Sequence, residues 1–289
     1  MEENKMLNYI KTVLENMPTG WLNLTTHRLD IYDEKLAKTQ FLDQFKALFK
    51  ENNSEALALN ELPTAFDYIR LGHPLSCILE WAIANLNNIA PDNVISFSSK
   101  TIPALAILRK NLLDNTNTQI IYTGEIPHFF DVEILQNIYD YKFELKQVEK
   151  ASDISAFNGS TIFISQQDEI CNFELTPNVD FFINAHPHLG SILVVNGEEN
   201  ESYISEIQHV RRRETIAMTP ANSLAALNVL IIQSSYANKE SNNETNKTLV
   251  LDSIKAITGS NTKALVASSG LSIQYAILMG LIHDALEKH

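Results

Sequence analysis

The segment Val94-Ile95-Ser96-Phe97-Ser98-Ser99-Lys100-Thr101-Ile102-Pro103-Ala104 decides the fold. Its first four residues form a short run rich in β-branched and aromatic side chains, and a helical pattern over 104–113 follows at once. That is a strand–turn–helix unit. Outward from it the alternation repeats, with strands at 119–122, 161–165, 181–183 and 192–196 and helices at 75–86, 132–139, 203–213 and 221–232. Strands alternating with helices predict an α/β fold, a mostly parallel sheet with helices on both faces.

The flanks divide the chain into three parts. Residues 1–60 read as an N-terminal helical arm of two helices, with Met6, Ile10, Val13 and Leu14 on the first and Leu36, Phe41, Phe45, Leu48 and Phe49 on the second. The α/β domain covers 61–235. Residues 234–248 are polar and predict a linker or surface loop. Residues 236–289 then predict a reduced C-terminal α+β region, with a helix at 249–258, a strand at 264–268 and a closing helix at 272–288.

The chain has 289 residues, 45% of them apolar, which is ample for a core. Its 22 basic and 35 acidic residues give a net charge of −13, which argues against nucleic acid or an anionic membrane as partner. The basic run Arg211-Arg212-Arg213 reads as a solvated helix face. Two cysteines, Cys77 and Cys171, sit in apolar surroundings and read as buried thiols rather than a disulfide framework. The N-terminus has no signal-peptide pattern, and no run reaches the ~20 apolar residues of a membrane span. A cytoplasmic location is expected.

Two places could carry chemistry. Ser98-Ser99 lies where a strand hands over to a helix N-terminus, a position that can hold a phosphate. Serine is equally a favoured helix cap, so both readings stand. His186 and His188 flank Pro187, with His209 further on, but no Glu, Asp or Cys is near enough in sequence to complete a metal site. They read as loop histidines, and no metal is expected.

A third segment is more specific. Tyr68-Ile69-Arg70-Leu71-Gly72-His73-Pro74, continued by Leu79-Glu80 and Ile83-Ala84-Asn85-Leu86, resembles a signature of the pyridoxal phosphate (PLP) enzymes of cysteine and methionine metabolism. That family includes cystathionine γ-synthase, the cystathionine lyases and methionine γ-lyase. Its pattern runs Y-S-R-x-x-N-P-T, then L-E, then I-A-x-L. Tyr68, Arg70, Pro74, Leu79, Glu80, Ile83, Ala84 and Leu86 agree, while His73 stands where the family has Asn. Phe97-Ser98-Ser99-Lys100 is similar to the family's S-S-G phosphate loop. Phe182-Ile183-Asn184-Ala185-His186-Pro187-His188-Leu189-Gly190 is similar to its lysine-bearing V-H-S-A-T-K-Y-L-G segment. With weaker matches near Arg211, Met218-Thr219-Pro220 and Leu265-Val266, the resemblance spans roughly residues 62–289 in the family's order.

The resemblance implies a fold-type-I PLP-transferase-like sheet and a homo-oligomer, dimer or tetramer. It assigns cofactor contacts to Tyr68, Arg70, Ser98 and Ser99, the first two across a subunit interface that they would also help to hold. The departures fall on the chemistry. The lysine that carries the cofactor aligns with Pro187, and the strand expected to offer an acid to the pyridine nitrogen has none before Asp168. The substrate-carboxylate arginine aligns with Val266 or Ala267, and Lys100 replaces the glycine of the phosphate loop. The chain is also shorter than the family, with one βα unit missing between Tyr122 and Phe181.

The expectation is therefore a degenerate homologue with no catalytic residue and no cofactor, acting as an oligomeric binding or regulatory protein. One alternative is an active PLP-dependent C–S lyase or γ-synthase with Lys100 as a relocated lysine. Another is a small-anion-binding protein or non-PLP enzyme using Lys100, Arg70 and the His186/His188 pair.

Overall fold

The computed structural model describes residues 2–23, 34–63, 70, 72–128, 130–171, 173–232, 243–259, 263–267 and 269–288. In chain order they form α1 (Glu2–Asn16), α2 (Glu34–Glu51), α3 (Ala56–Glu61), α4 (Pro74–Leu86), β1 (Val94–Phe97), α5 (Ile102–Leu113), β2 (Thr118–Thr123) and α6 (Val132–Asn137). There follow β3 (Glu144–Val148), β4 (Ser160–Ser165), β5 (Phe181–His186), β6 (Gly190–Val195), α7 (Ser202–Glu214), α8 (Pro220–Ile232), α9 (Asn243–Thr258) and α10 (Gly270–Glu287).

The six strands make one sheet in the order β1-β6-β5-β4-β2-β3. Strand β6 is antiparallel to both of its neighbours, and the pairs β5–β4, β4–β2 and β2–β3 are parallel. Five strands therefore run one way and β6 alone runs the other, as a mostly parallel sheet requires. Strand alternation sorts the core into two layers. Val94, Ile121, Phe163, Phe182, Ile192 and Val194 face the layer that holds α1, α2, α4 and α8. Ile95, Phe97, Ile120, Ile162, Phe181, Ile183 and Leu193 face α5, α6 and α7. The N-terminal helices are part of the first layer: the Phe45 and Phe49 rings each lie 5.4 Å from Trp81 of α4, edge to face.

Strand β1 has a partner on one side only, yet all four of its residues are buried. Its open edge is closed by side chains. Ser96 donates its N–H to Glu80 Oε1 at 2.9 Å and accepts on its carbonyl from Arg211 Nη1 at 2.9 Å, while Arg211 Nη1 also bonds Glu80 Oε1 at 2.9 Å. Lys38 Nζ lies 2.7 Å from Glu80 Oε2 and donates to the carbonyls of Pro91 and Val94. An ion triplet thus supplies the donor and acceptor that a further strand would have given, which also blocks edge-to-edge pairing.

Several expectations change. Arg211 is fully buried in this triplet rather than on a solvated face, because its guanidinium reaches round β1 to Glu80 and stacks 5.9 Å from the Phe97 ring. Strand β3 carries no apolar pattern in its burial and was not predicted; as an outer strand it pairs only with β2 and keeps Glu144, Lys146 and Gln147 exposed. The polar stretch expected as loop to 248 is helical from Asn243, because the apolar run from Leu249 onward extends its helix backward; 233–242 lie outside the described residues. Residues 263–267 form no strand. Both thiols are buried as expected, and burial pushes the Cys171 thiol up to about 12.

Candidate functional site

The carboxyl ends of parallel strands are where an α/β sheet offers a site, since the chain turns there into helix N-termini. At the end of β1 the turn 98–101 leads into α5. Three other segments converge on it. The β5–β6 turn brings Pro187, since Lys100 Nζ donates to the Pro187 carbonyl at 2.5 Å. The stretch after α7 runs alongside, with Ser98 N–H donating to Ile216 O at 3.2 Å. The entry to α4 joins from below, with Ala217 N–H donating to Arg70 O at 3.0 Å and His73 Nε2–H donating to Met218 O at 2.7 Å.

Gly190 makes the closest of these approaches possible. It has φ of +124°, and a Cβ there would stand 2.1 Å from the Phe97 carbonyl oxygen, so a side chain is excluded both by conformation and by contact. Ser191 Oγ then donates to the Ser99 carbonyl at 2.6 Å, pinning the turn to β6.

Of the expected site residues, the structure brings together Arg70, Ser98, Ser99, Lys100, Pro187 and His188; Tyr68 lies outside the described residues. Lys100 bonds Pro187, and the two serines are engaged by the turn itself and by the stretch after α7. Ser99 Oγ accepts from Thr101 N at 3.3 Å and from Ile102 N at 3.1 Å, occupying amides that a phosphate would need. Pro103 stands in the first turn of α5 and has no N–H to offer. Ser98 Oγ donates to Ile216 O at 3.3 Å and lies 3.5 Å from Thr215 Oγ1. Burial lowers the Lys100 ammonium below its usual value.

The histidines are structural in their contacts. His186 Nδ1 accepts from the amides of His188 and Leu189 at 3.0 and 3.2 Å and so fixes the β5–β6 turn. Burial holds its imidazole below the usual value, with the Asp168 carboxylate opposing. Asp168 therefore meets His186, on the exposed stretch that follows β4. His73 caps α4: Nδ1 accepts from Ser76 N at 3.2 Å, and Ser76 Oγ accepts from His73 N at 2.9 Å. Burial drives its pKa down to about 4, so the ring is neutral, with its proton on Nε2. Among the described residues no group of three His, Cys, Asp or Glu side chains is placed to hold a metal.

The arrangement does not fit PLP as the resembling family holds it. Pro187 has no amine, the Lys100 amine bonds Pro187's own carbonyl, and the helix amides are taken by Ser99. Val266 and Ala267, at the position of the substrate arginine, cannot make a bidentate pair with a carboxylate. A cavity of about 740 Å³ opens between Asn111, Thr118, Lys142 and Asn158, and one of about 260 Å³ between Lys38, Asn93, Glu201 and Gln208, both at amino ends of strands. The burial of Arg211 is what sequence reasoning missed, since a basic triplet and a weak match near it give no hint that the side chain is enclosed.

No family model matches the chain, and no curated protein does. Among solved structures, it is similar to metB from Corynebacterium glutamicum, with a TM-score of 0.38 and 13% identity over 60% of this chain and 55% of that one. It is similar also to a protein described as O-acetylhomoserine (thiol)-lyase, metY, from Campylobacter jejuni, holding N'-pyridoxyl-lysine-5'-monophosphate (0.39, 15%, covering 73% and 65%). A third is cystathionine gamma-lyase from Lactobacillus plantarum complexed with L-serine (0.43, 12%, covering 85% and 69%). The chain thus spans 55% and 65% of the first two. At these identities the likeness is one of fold.

Proposed function

We propose that this protein is a degenerate homologue of the PLP-dependent enzymes of cysteine and methionine metabolism, without their lyase or synthase activity, and that it works as an oligomeric binding or regulatory protein. The observation that carries this reading is the contact between Lys100 Nζ and the Pro187 carbonyl at 2.5 Å. At the position of the cofactor lysine stands a residue without an amine, and the neighbouring amine bonds that turn's own carbonyl. Ser99 capping the amides of Thr101 and Ile102 supports the same reading, because the phosphate cradle is filled from within. Retention of Glu80 belongs to the scaffold on this view, since its carboxylate holds the edge of β1.

The test is an absorbance titration of the purified chain with PLP. The expected result is the spectrum of free PLP at every ratio, with no protein-dependent band. A saturable band with one site per chain contradicts the proposal. One observation favours a second reading, an active enzyme with Lys100 as the relocated lysine. Burial lowers the Lys100 ammonium, and an amine that loses its proton more easily is the better nucleophile. That reading predicts the band and its disappearance in Lys100→Ala.

A further inference from the structure

We infer that Asn158 is a covalent modification site, at which the side chain closes on the Gly159 nitrogen, loses ammonia and is opened by water to aspartate or isoaspartate. The chain contains two Asn-Gly pairs, Asn158-Gly159 and Asn196-Gly197. By sequence the two are equivalent, because glycine has no Cβ to obstruct the approach of its nitrogen to the preceding side chain. The fold makes them unequal.

Asn196 follows β6, half-buried, and is held on every side. Its Nδ2 donates to the Thr176 carbonyl at 3.0 Å and to the Val179 carbonyl at 2.7 Å. Its N–H donates to Asp180 O at 2.8 Å, and its own carbonyl accepts from Asn200 Nδ2 at 2.7 Å. Ring closure there has to turn the amide out of both of its bonds. Asn158 stands in an exposed bend just before β4, and among the described residues neither its side chain nor the Gly159 N–H makes a hydrogen bond. Such a segment opens readily and samples the rotation that closure needs. Its glycine is required by the fold. Gly159 has φ of +152°, and a Cβ there would stand 2.3 Å from the Asn117 carbonyl oxygen. The structure thus fixes a glycine directly after an asparagine that nothing restrains.

The chemistry needs only water. The Gly159 nitrogen bonds Asn158 Cγ, the Cγ–Nδ2 bond breaks, and Nδ2 leaves as ammonia with the proton that the Gly159 nitrogen gives up. Water then opens the five-membered ring. Attack at the side-chain carbonyl leaves an ordinary aspartate, and attack at the main-chain carbonyl leaves the backbone running through the former side chain. Either product adds a negative charge at the 740 Å³ cavity, which Asn158 lines with Lys142 and Glu144. The isoaspartyl product also lengthens the backbone one residue ahead of the bond from Ser160 N–H to Asn117 O, 2.7 Å long, at the start of β4. The inference rests on no property of the cofactor site, so the PLP titration neither supports nor weakens it.

The test is incubation of the full chain in mildly alkaline buffer, folded and in urea, followed by peptide mass mapping and digestion with a protease that cuts before aspartate but not before isoaspartate. In the folded chain the peptide containing Asn158 is expected to gain the mass of an –NH2 to –OH exchange at least tenfold faster than the peptide containing Asn196, and in urea the two rates are expected to converge. Asn158→Gln is expected to abolish the gain in its peptide and, since the side chain is exposed, to leave the melting temperature unchanged. No gain at Asn158 in the folded chain, or an equally fast gain at Asn196, would overturn the inference. So would a difference that persists in urea, which would place its cause in the neighbouring sequence and not in the fold.

Discussion

Ser96 and Ser98 stand two residues apart at the end of one strand, and their surroundings differ in kind. Ser96 is held by groups brought from α2, α4 and α7, and the Lys38–Glu80–Arg211 triplet around it leaves β1 no open edge. Ser98 and the turn after it are held by near neighbours: a capping serine, a lysine bound to a turn carbonyl, and a glycine that allows close approach. The first arrangement keeps a residue, Glu80, that agrees with the resembling family. The second holds Lys100 and Pro187, two of the positions at which the sequence departs from the family it resembles. Long-range and local contacts thus meet within two residues of one strand end.

The largest effect that would break this contrast comes from removing one member of the triplet. Arg211→Met leaves the Ser96 carbonyl without its donor and Glu80 with Lys38 as its one remaining counter-ion in the triplet, at a cost of about 3–5 kcal/mol. By chemical denaturation that is a large part of the stability of an ordinary domain. Burial pushes the Glu80 carboxyl up, but Lys38 and Arg211 together outweigh it and hold the pKa at about 2 against 4.5 in the unfolded chain. A depressed carboxylate stabilises above the unfolded value, so its contribution is complete above pH 4.5 and drains away as pH falls toward 2. In Glu80→Gln that part of the acid dependence is expected to disappear.

Next in size is Gly190→Ala, which puts a Cβ against the Phe97 carbonyl and in a positive-φ conformation. The expected loss is about 2–4 kcal/mol, read from denaturant midpoints. An unchanged midpoint would mean that β6 and the turn after β1 do not approach as described.

His73 sharpens the contrast by pH. Its folded pKa of about 4 lies below the ordinary 6.5, so the unfolded chain binds the proton first. Stability is complete above pH 6.5 and falls as pH drops from 6.5 toward 4, by on the order of 3 kcal/mol in full. His73→Asn, whose side chain can cap α4 without titrating, is expected to flatten the stability profile in that window. The smallest expected effect is Ser99→Ala, about 0.5–1.5 kcal/mol for the lost bonds to Thr101 and Ile102. A greater loss would give the turn a larger structural part than its contacts suggest.

Much of the fold was legible where one physical signal dominated. Val94–Phe97 is an apolar run buried on both faces, and β4, β5 and β6 read the same way because each alternates between two covered layers. Strand β3 was not legible: an outer strand needs only backbone partners, and its polar side chains are what keep such an edge soluble. At 263–267 the apolar Leu265-Val266 pair suggested a strand, but both are exposed and without a neighbour strand. At the site, Ser98, Ser99 and Lys100 could be placed because a strand–helix junction is a local feature. Arg211 could not, since its burial depends on Glu80, 131 residues earlier in the chain.

The central claim is that the carboxyl end of β1 is closed by the chain's own groups and does not take the cofactor covalently. Incubation of the full chain with PLP, borohydride reduction and peptide mass mapping tests it most directly. The account predicts that the peptide containing Lys100 carries no more pyridoxyl label than peptides containing surface lysines. Near-stoichiometric label on Lys100, absent in Lys100→Ala, would contradict it.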